Sequence, residues 1–255
     1  MGSREDAGRA ESNWQAESLR VTAFPVPGTP IKEPTWWSDL VGKPPEVRSK
    51  RLSQGTFQDE GLIQELKLTL SAQPSRIDWY LTLPEPGEAS TALRAVGPLH
   101  ESLKTFVPLM KSWLKVVVPP QRLAFGAALF QPVEDKISGY VQLRRYLPGI
   151  AIDPERSSDF SYQINRPRDS RTEIPGLRIN RLSRWSVALR GGTQLRLSPH
   201  GVQAFSLGES LAVRLEIDIN TPAEFNGELP RERLCDIFDE LVLFGCEIAE
   251  KGDIA

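Results

Sequence analysis

The chain has 255 residues, 40% hydrophobic and 25% charged, with a formal net charge of -2. That balance excludes a fibre and fits one large globular domain or two small ones. Its longest apolar runs, such as Val116 to Val118 and Leu241 to Phe244, fall far short of the roughly 20 residues that cross a bilayer, so no membrane role is expected.

Met1 to Glu17 is polar and lacks the apolar core of a signal peptide, and Asp6 stands where a myristoylation signal needs Ser or Thr. Residues 1–18 are therefore expected to form a flexible tail. Residues 19–255 read as one α+β domain, or as two subdomains, 19–150 and 151–255.

Leu19 to Phe24 predicts a short strand that ends at Pro25, and prolines 27, 30 and 34 then enforce an irregular path. A turn of helix is expected over Thr35 to Val41. Its adjacent Trp36 and Trp37 suit either a ligand stack or a core in which one packs inside and the other sits at the rim. Leu66, Leu68 and Leu70 alternate with polar residues, Gln73-Pro74-Ser75 turns the chain, and Ile77, Trp79, Leu81 and Leu83 complete a β-hairpin.

After a Pro84 to Ser90 loop, Leu99, Leu103, Phe106, Met110 and Trp113 follow helical spacing; Pro98 suits the first turn and Pro108 should kink it. A strand over Leu123 to Gln131 and a helix over about Asp135 to Tyr146 follow. Beyond Ser158 a meander is predicted near 160–168, 177–190, 193–198, 202–206 and 211–220, with Gly191-Gly192 as a two-residue hairpin turn. Pro199-His200-Gly201 and Leu207-Gly208-Glu209 mark further turns. The last helix, about Arg231 to Lys251, carries Leu234, Ile237, Phe238, Leu241, Phe244 and Ile248 on one face and closes at Gly252. The whole reads as an α+β fold, antiparallel meander sheets covered by amphipathic helices, roughly β-β-α-β-α-β-β-β-β-β-α.

Charge is distributed unevenly. Tyr140 to His200 holds eleven Arg, no Lys and five acids, a net of +6, whereas Gly201 to Ala255 holds four bases and twelve acids, a net of -8. The two segments can neutralise one another within one folded unit. Exclusive use of Arg still suits carboxylate, phosphate or aromatic partners.

Within the basic segment the tripeptide Ile-Asn-Arg occurs at 164–166 and again at 179–181, with Pro175-Gly176 between the copies. Two antiparallel strands are expected, in a register that sets Asn165 opposite Asn180, Ile164 opposite Arg181 and Arg166 opposite Ile179. The Asn pair then forms either an amide ladder or half of a ligand site. Tyr162, Asn165, Arg166, Arg168, Asn180, Arg181, Arg184 and Trp185 are the candidate binding residues, because exposed Arg and aromatic side chains make interface hot spots.

Glu216 and Asp218 sit at i and i+2 on a strand and so share a face, where they could bind a divalent metal or meet Arg166, Arg178 or Arg181. No lysine stands nearby to stabilise a cleaved phosphate. There is no G-x-S-x-G elbow or phosphate-binding P-loop, and Gly191-Gly192 lacks the strand-to-helix context of a dinucleotide site. His100 and His200 have no placed partner for acid–base work. Cys235 and Cys246, on one helix, lie roughly 16 Å apart at about 1.5 Å rise per residue, too far for a disulfide. They read as buried thiols in a reducing, cytoplasmic setting. No metal or cofactor is expected.

Arg122-Leu123-Ala124-Phe125-Gly126, the F-x-Y-Q-I-N-R-P-R segment at 160–168, the L-R-I-N-R at 177–181 and Leu215-Glu216-Ile217-Asp218-Ile219 together resemble a sporadically distributed family of uncharacterised bacterial proteins of about this length. The resemblance covers the chain from about residue 65 to 252. It implies a fold and a bacterial cytoplasm, and transfers no catalytic residue. Three functions follow as expectations: a non-enzymatic interaction protein that binds a protein partner through an Arg-rich sheet surface, a nucleic-acid binder using the Arg cluster 144–184, and a metal-dependent hydrolase or nuclease centred on Glu216 and Asp218.

Overall fold

The computed structural model describes residues 13–31, 35–85, 93–198, 201–225 and 227–253. In chain order its elements are β1 (Gln15–Pro25), α1 (Trp36–Val41), β2 (Val47–Arg51), β3 (Thr56–Ile63), β4 (Leu66–Gln73), β5 (Arg76–Thr82), the two-residue β6 (Gly97–Pro98) and α2 (Leu99–Leu114). They continue with β7 (Pro120–Val133), α3 (Lys136–Tyr146), β8 (Ser161–Asn165), the two-residue β9 (Arg168–Asp169), β10 (Arg178–Ser198), β11 (Gly201–Asn220) and α4 (Leu234–Lys251). The fold is α+β, with one antiparallel sheet in the order β2-β3-β4-β5-β1-β7-β11-β10-β8; β6 pairs with β1 and β9 with β10. Because β7 lies between β1 and β11, the sheet runs unbroken across residue 150.

Strict alternation gives the sheet two unlike faces. Leu19, Val21 and Ala23 of β1, Leu123, Phe125, Ala127 and Leu129 of β7, and Val213, Leu215, Ile217 and Ile219 of β11 are buried on one side. The helices cover this side. Phe238 of α4 meets Phe125 edge-on at 6.3 Å, and Gly139 of α3 packs on Val187 and Val133. Under α1 and α2 the core is aromatic: Trp37 stacks on Trp79 at 5.9 Å, and Trp113 meets Trp79 and Trp36 edge-on. Trp36 and Trp37 are thus both core residues, with no rim position for either.

The hairpin β4–β5, α1, α2, β7, α3 and α4 lie where periodicity placed them. Asp135 caps α3 by accepting from Ser138 N at 2.7 Å, while Asp135 N donates to Ser138 Oγ, a reciprocal box that also holds the Asp135 carboxyl below its ordinary pKa. Gly252 ends α4 at φ +81°, and a Cβ there would stand 2.0 Å from Tyr146 O. That contact tucks the next residue, Asp253, against the sheet, where Asp253 N donates to Tyr146 O at 3.1 Å.

Four expectations are corrected. Residues 15–18, expected within a tail, belong to β1, which begins at Gln15, and Trp14 is fully buried, its Nε1 donating to Ala249 O at 2.7 Å. Strands β2 and β3 were missed because their sequences, VRSKR and TFQDEGLI, lack clean alternation. β3 pairs nonetheless, and its Gly61 makes room for Trp37, whose ring lies 2.9 Å from the glycine's missing Cβ.

The five-strand meander is instead β8 and β9 followed by two long strands. Gly191-Gly192 is a register shift inside β10 rather than a turn, and residues 207–209 lie within β11. A Gly pair serves a bulge as readily as a tight turn, and long-range pairing with 201–210 decides between them. His200 lies outside the described residues. Finally, Cys235 and Cys246 are half-buried, not core, although burial raises the Cys246 thiol to about 11.

Candidate functional site

The Ile-Asn-Arg copies do pair, two positions out of the expected register. Asn165 stands opposite Leu182 and Ile164 opposite Ser183, while Asn180 stands opposite Asn220. A slip of two keeps every side chain on its expected face, whereas a slip of one would have exchanged them. The amides therefore still meet. Asn165 Nδ2 donates to Asn180 Oδ1 at 3.0 Å, Asn180 Nδ2 to Asn220 Oδ1 at 3.1 Å, and Asn220 Nδ2 to Asp218 Oδ1 at 3.0 Å. Asn165 Oδ1 accepts from Arg181 N at 2.8 Å, so this side chain takes the place of a backbone carbonyl where β8 ends. The result is a polarised chain across three strands, all pointing toward one carboxylate.

The arginines of the repeat lie on the other face, with acids from the end of the chain. Arg166 grips Asp253 with two hydrogen bonds, Nε to Oδ1 at 2.7 Å and Nη2 to Oδ2 at 3.0 Å, and Tyr162 Oη donates to the same Oδ2 at 3.0 Å. Arg168 donates to Glu247 at 3.0 Å, and Arg181 Nη2 lies 3.6 Å from that carboxylate. Arg168, Arg171 and Arg181 all face the Phe244 ring, 5.2 to 5.7 Å from its centre. Arg181 is 2% exposed, and burial first, then its cationic neighbours, lower its pKa to about 10. The same contacts hold Asp253 below its ordinary value, with Arg166 the main cause, and raise Arg166. This cluster fastens α4 to β8 and β10. The opposite charges of the two segments pointed to such pairing, but not to these pairs, since Asp253 and Glu247 stand 87 and 79 residues from Arg166 and Arg168.

The open face of the sheet presents a different surface. One cross-strand row reads Leu182, Asp218, Gly126, Arg20 and Tyr80, and the next reads Arg184, Glu216, Ala128, Ser18 and Thr82. Gly126 and Ala128 floor a shallow trough of about 330 Å³ between these charged walls. Arg20 crosses the trough over Gly126 to reach Asp218 at 3.4 Å, and Arg184 meets Glu216 at 3.2 Å and Gln163 at 3.4 Å. Glu216 and Asp218 share a face as expected, but each holds a guanidinium. Among the described residues no group of three or more His, Cys, Asp or Glu is placed to hold a metal.

The candidate residues thus divide. Asn165, Asn180 and Arg184 lie on the open face; Tyr162, Arg166 and Arg168 join the Asp253 and Glu247 cluster. Arg181 and Trp185 are buried, which removes them as surface hot spots: Trp185 stacks on Tyr146 at 5.4 Å and donates to Ser183 Oγ at 3.0 Å. Glu216 and Asp218 meet Arg184 and Arg20 in place of the expected Arg166, Arg178 or Arg181; Arg178 meets Asp169 at 3.3 Å. Arg144 and Arg145 are exposed on α3, so the 144–184 arginines are spread over both sides of the sheet. Arg20 and Gly126, the centre of the trough, were not marked as site residues by the sequence; Gly126 entered only as part of the Arg122 to Gly126 resemblance segment. His100 is exposed on α2.

No family model, curated protein or solved structure matches this chain. Among the described residues no helix is long and apolar enough to cross a membrane.

Proposed function

We propose that the chain is a non-enzymatic interaction protein of a bacterial cytoplasm, as its resemblance implies, and that it binds a protein partner on the open face of the sheet. The observation that carries this reading is the trough over Gly126 and Ala128. There two neighbouring rows offer small residues between charged walls of both signs, Arg20 and Arg184 with Glu216 and Asp218. Leu182 and Tyr80 supply apolar surface at its ends. Mixed charge around a small apolar floor suits a polar protein surface. A phosphate backbone calls for one sign of charge along a track, and here the guanidiniums are interleaved with carboxylates.

The test compares proteins retained by the immobilised chain and by its Ala128→Arg variant, both loaded with extract of the native host. Ala128 is part-exposed, so the larger side chain fills the trough without entering the core. Loss of a specific retained protein in the variant supports the reading. Identical profiles overturn it, and retention of nucleic acid that disappears as salt rises favours the nucleic-acid alternative.

A further inference from the structure

The sheet ends at β2 on one side and at β8 on the other, and the two edges differ in kind. β2 reads Val-Arg-Ser-Lys-Arg, a cationic strand, and charged side chains along an edge keep other strands from adding to it. β8 reads Ser-Tyr-Gln-Ile-Asn, with no charge, proline or bulge to guard it. Such an edge is a template for a further strand.

The backbone of β8 shows which residues would accept one. Among the described residues β8 pairs with β10 alone, and Arg166 N donates to Arg181 O at 3.3 Å just past the end of the strand. Alternate residues of an antiparallel ladder turn their backbone groups the same way, so Tyr162 and Ile164 bond inward to β10. Ser161, Gln163 and Asn165 then turn their N–H and C=O groups outward. These three are the exposed residues of β8, while Tyr162 and Ile164 are half-buried.

We infer that β8 pairs antiparallel with β8 of a second copy of this chain, about a two-fold axis at Gln163. The outward-turned residues set the register: Gln163 meets its own counterpart, and Ser161 meets Asn165 of the other copy. Three such pairs exchange about six backbone hydrogen bonds. Because a two-fold interface uses the same patch twice, the strand has to complement itself, and it does so on both faces. On the helix side each Tyr162 falls opposite Ile164 of the other copy, an aromatic and β-branched pair that favours strand pairing. On the open side hydroxyl and amide groups face one another, with no like charges opposed. Antiparallel pairing also brings the acidic end of each strand, the exposed Asp159, toward the basic end of the other, Arg166 and Arg168. Five residues on each side make a small contact, so the dimer should be reversible and depend on concentration.

Sedimentation equilibrium of the full chain, from about 1 to about 500 μM, tests this together with Gln163→Pro and Ile164→Lys. Proline at 163 removes an outward N–H that the single chain does not use, so the fold should survive while strand addition is blocked. Lysine at 164 replaces the residue opposite Tyr162 on the side away from the trough. Thermal melting of both variants at low concentration checks the fold. The wild type should move from 28.5 kDa toward twice that mass as concentration rises, and each folded variant should weaken self-association at least about tenfold. A wild type that stays at the single-chain mass, or a dimer that either folded variant leaves intact, overturns the inference. Ala128→Arg should leave the dimer unchanged, and Ile164→Lys should leave the retained protein of the trough test unchanged, so the two readings fail separately.

Discussion

The guanidinium of Arg20 lies across Gly126: its Nη2 stands 3.1 Å from the position a Cβ would occupy, and from there it reaches Asp218 one strand further on. A glycine in the middle of a central strand is otherwise a weak choice, and here it gives a long side chain its path.

The two tight glycines should respond differently. Gly126→Ala presses on the mobile end of an arginine and breaks, at most, a half-exposed ion pair, so a loss of under about 1 kcal/mol is expected. Gly252→Ala meets the Tyr146 carbonyl at 2.0 Å from a backbone held at φ +81°, and should cost about 3 kcal/mol. Urea midpoints of the two variants measure this, and similar midpoints would show that the α4 terminus yields easily.

Asn180 is the middle link of the amide chain. Asn180→Leu leaves Asn165 Nδ2 and Asn220 Oδ1 without their partners and should destabilise by about 1 kcal/mol. A double-mutant cycle between positions 180 and 220 should return a coupling of about 0.5 kcal/mol or more; additivity would mean the chain is only a geometric coincidence.

Asp253 predicts an acid dependence. Its pKa is lowered in the folded state, mainly by Arg166, so its contribution is present above the unfolded value of about 3.9 and fades as pH falls through the folded value. Asp253→Asn should cost on the order of 2 kcal/mol near neutrality, because Arg166 and Tyr162 lose a charged acceptor. The gap between wild type and variant should close in acid, below about pH 4. A gap that stays constant from neutral to acid pH would show that the Asp253 charge contributes nothing.

Much of the fold was legible because it rests on local periodicity. The β4–β5 hairpin alternates at period two, and α2 and α4 repeat their apolar residues at helical spacing. The strands that were missed, β2 and β3, owe their pairing to neighbours rather than to pattern. Gly191-Gly192 misled for a related reason: its backbone freedom suits a turn and a bulge alike, and only its pairing partner selects one.

For the site, alternation along each strand determined which face each residue of the Ile-Asn-Arg repeat occupies. That assignment survived a two-residue error in register because side chains repeat every second position. Which carboxylate each arginine meets was decided by tertiary structure alone. Asp253 and Glu247 come to Arg166, Arg168 and Arg181 only when α4 packs on the sheet and Gly252 closes against Tyr146, a contact between residues far apart in the chain. Charge pairing depends on distances of a few ångströms, and sequence order carries no such distances between segments that meet only on folding.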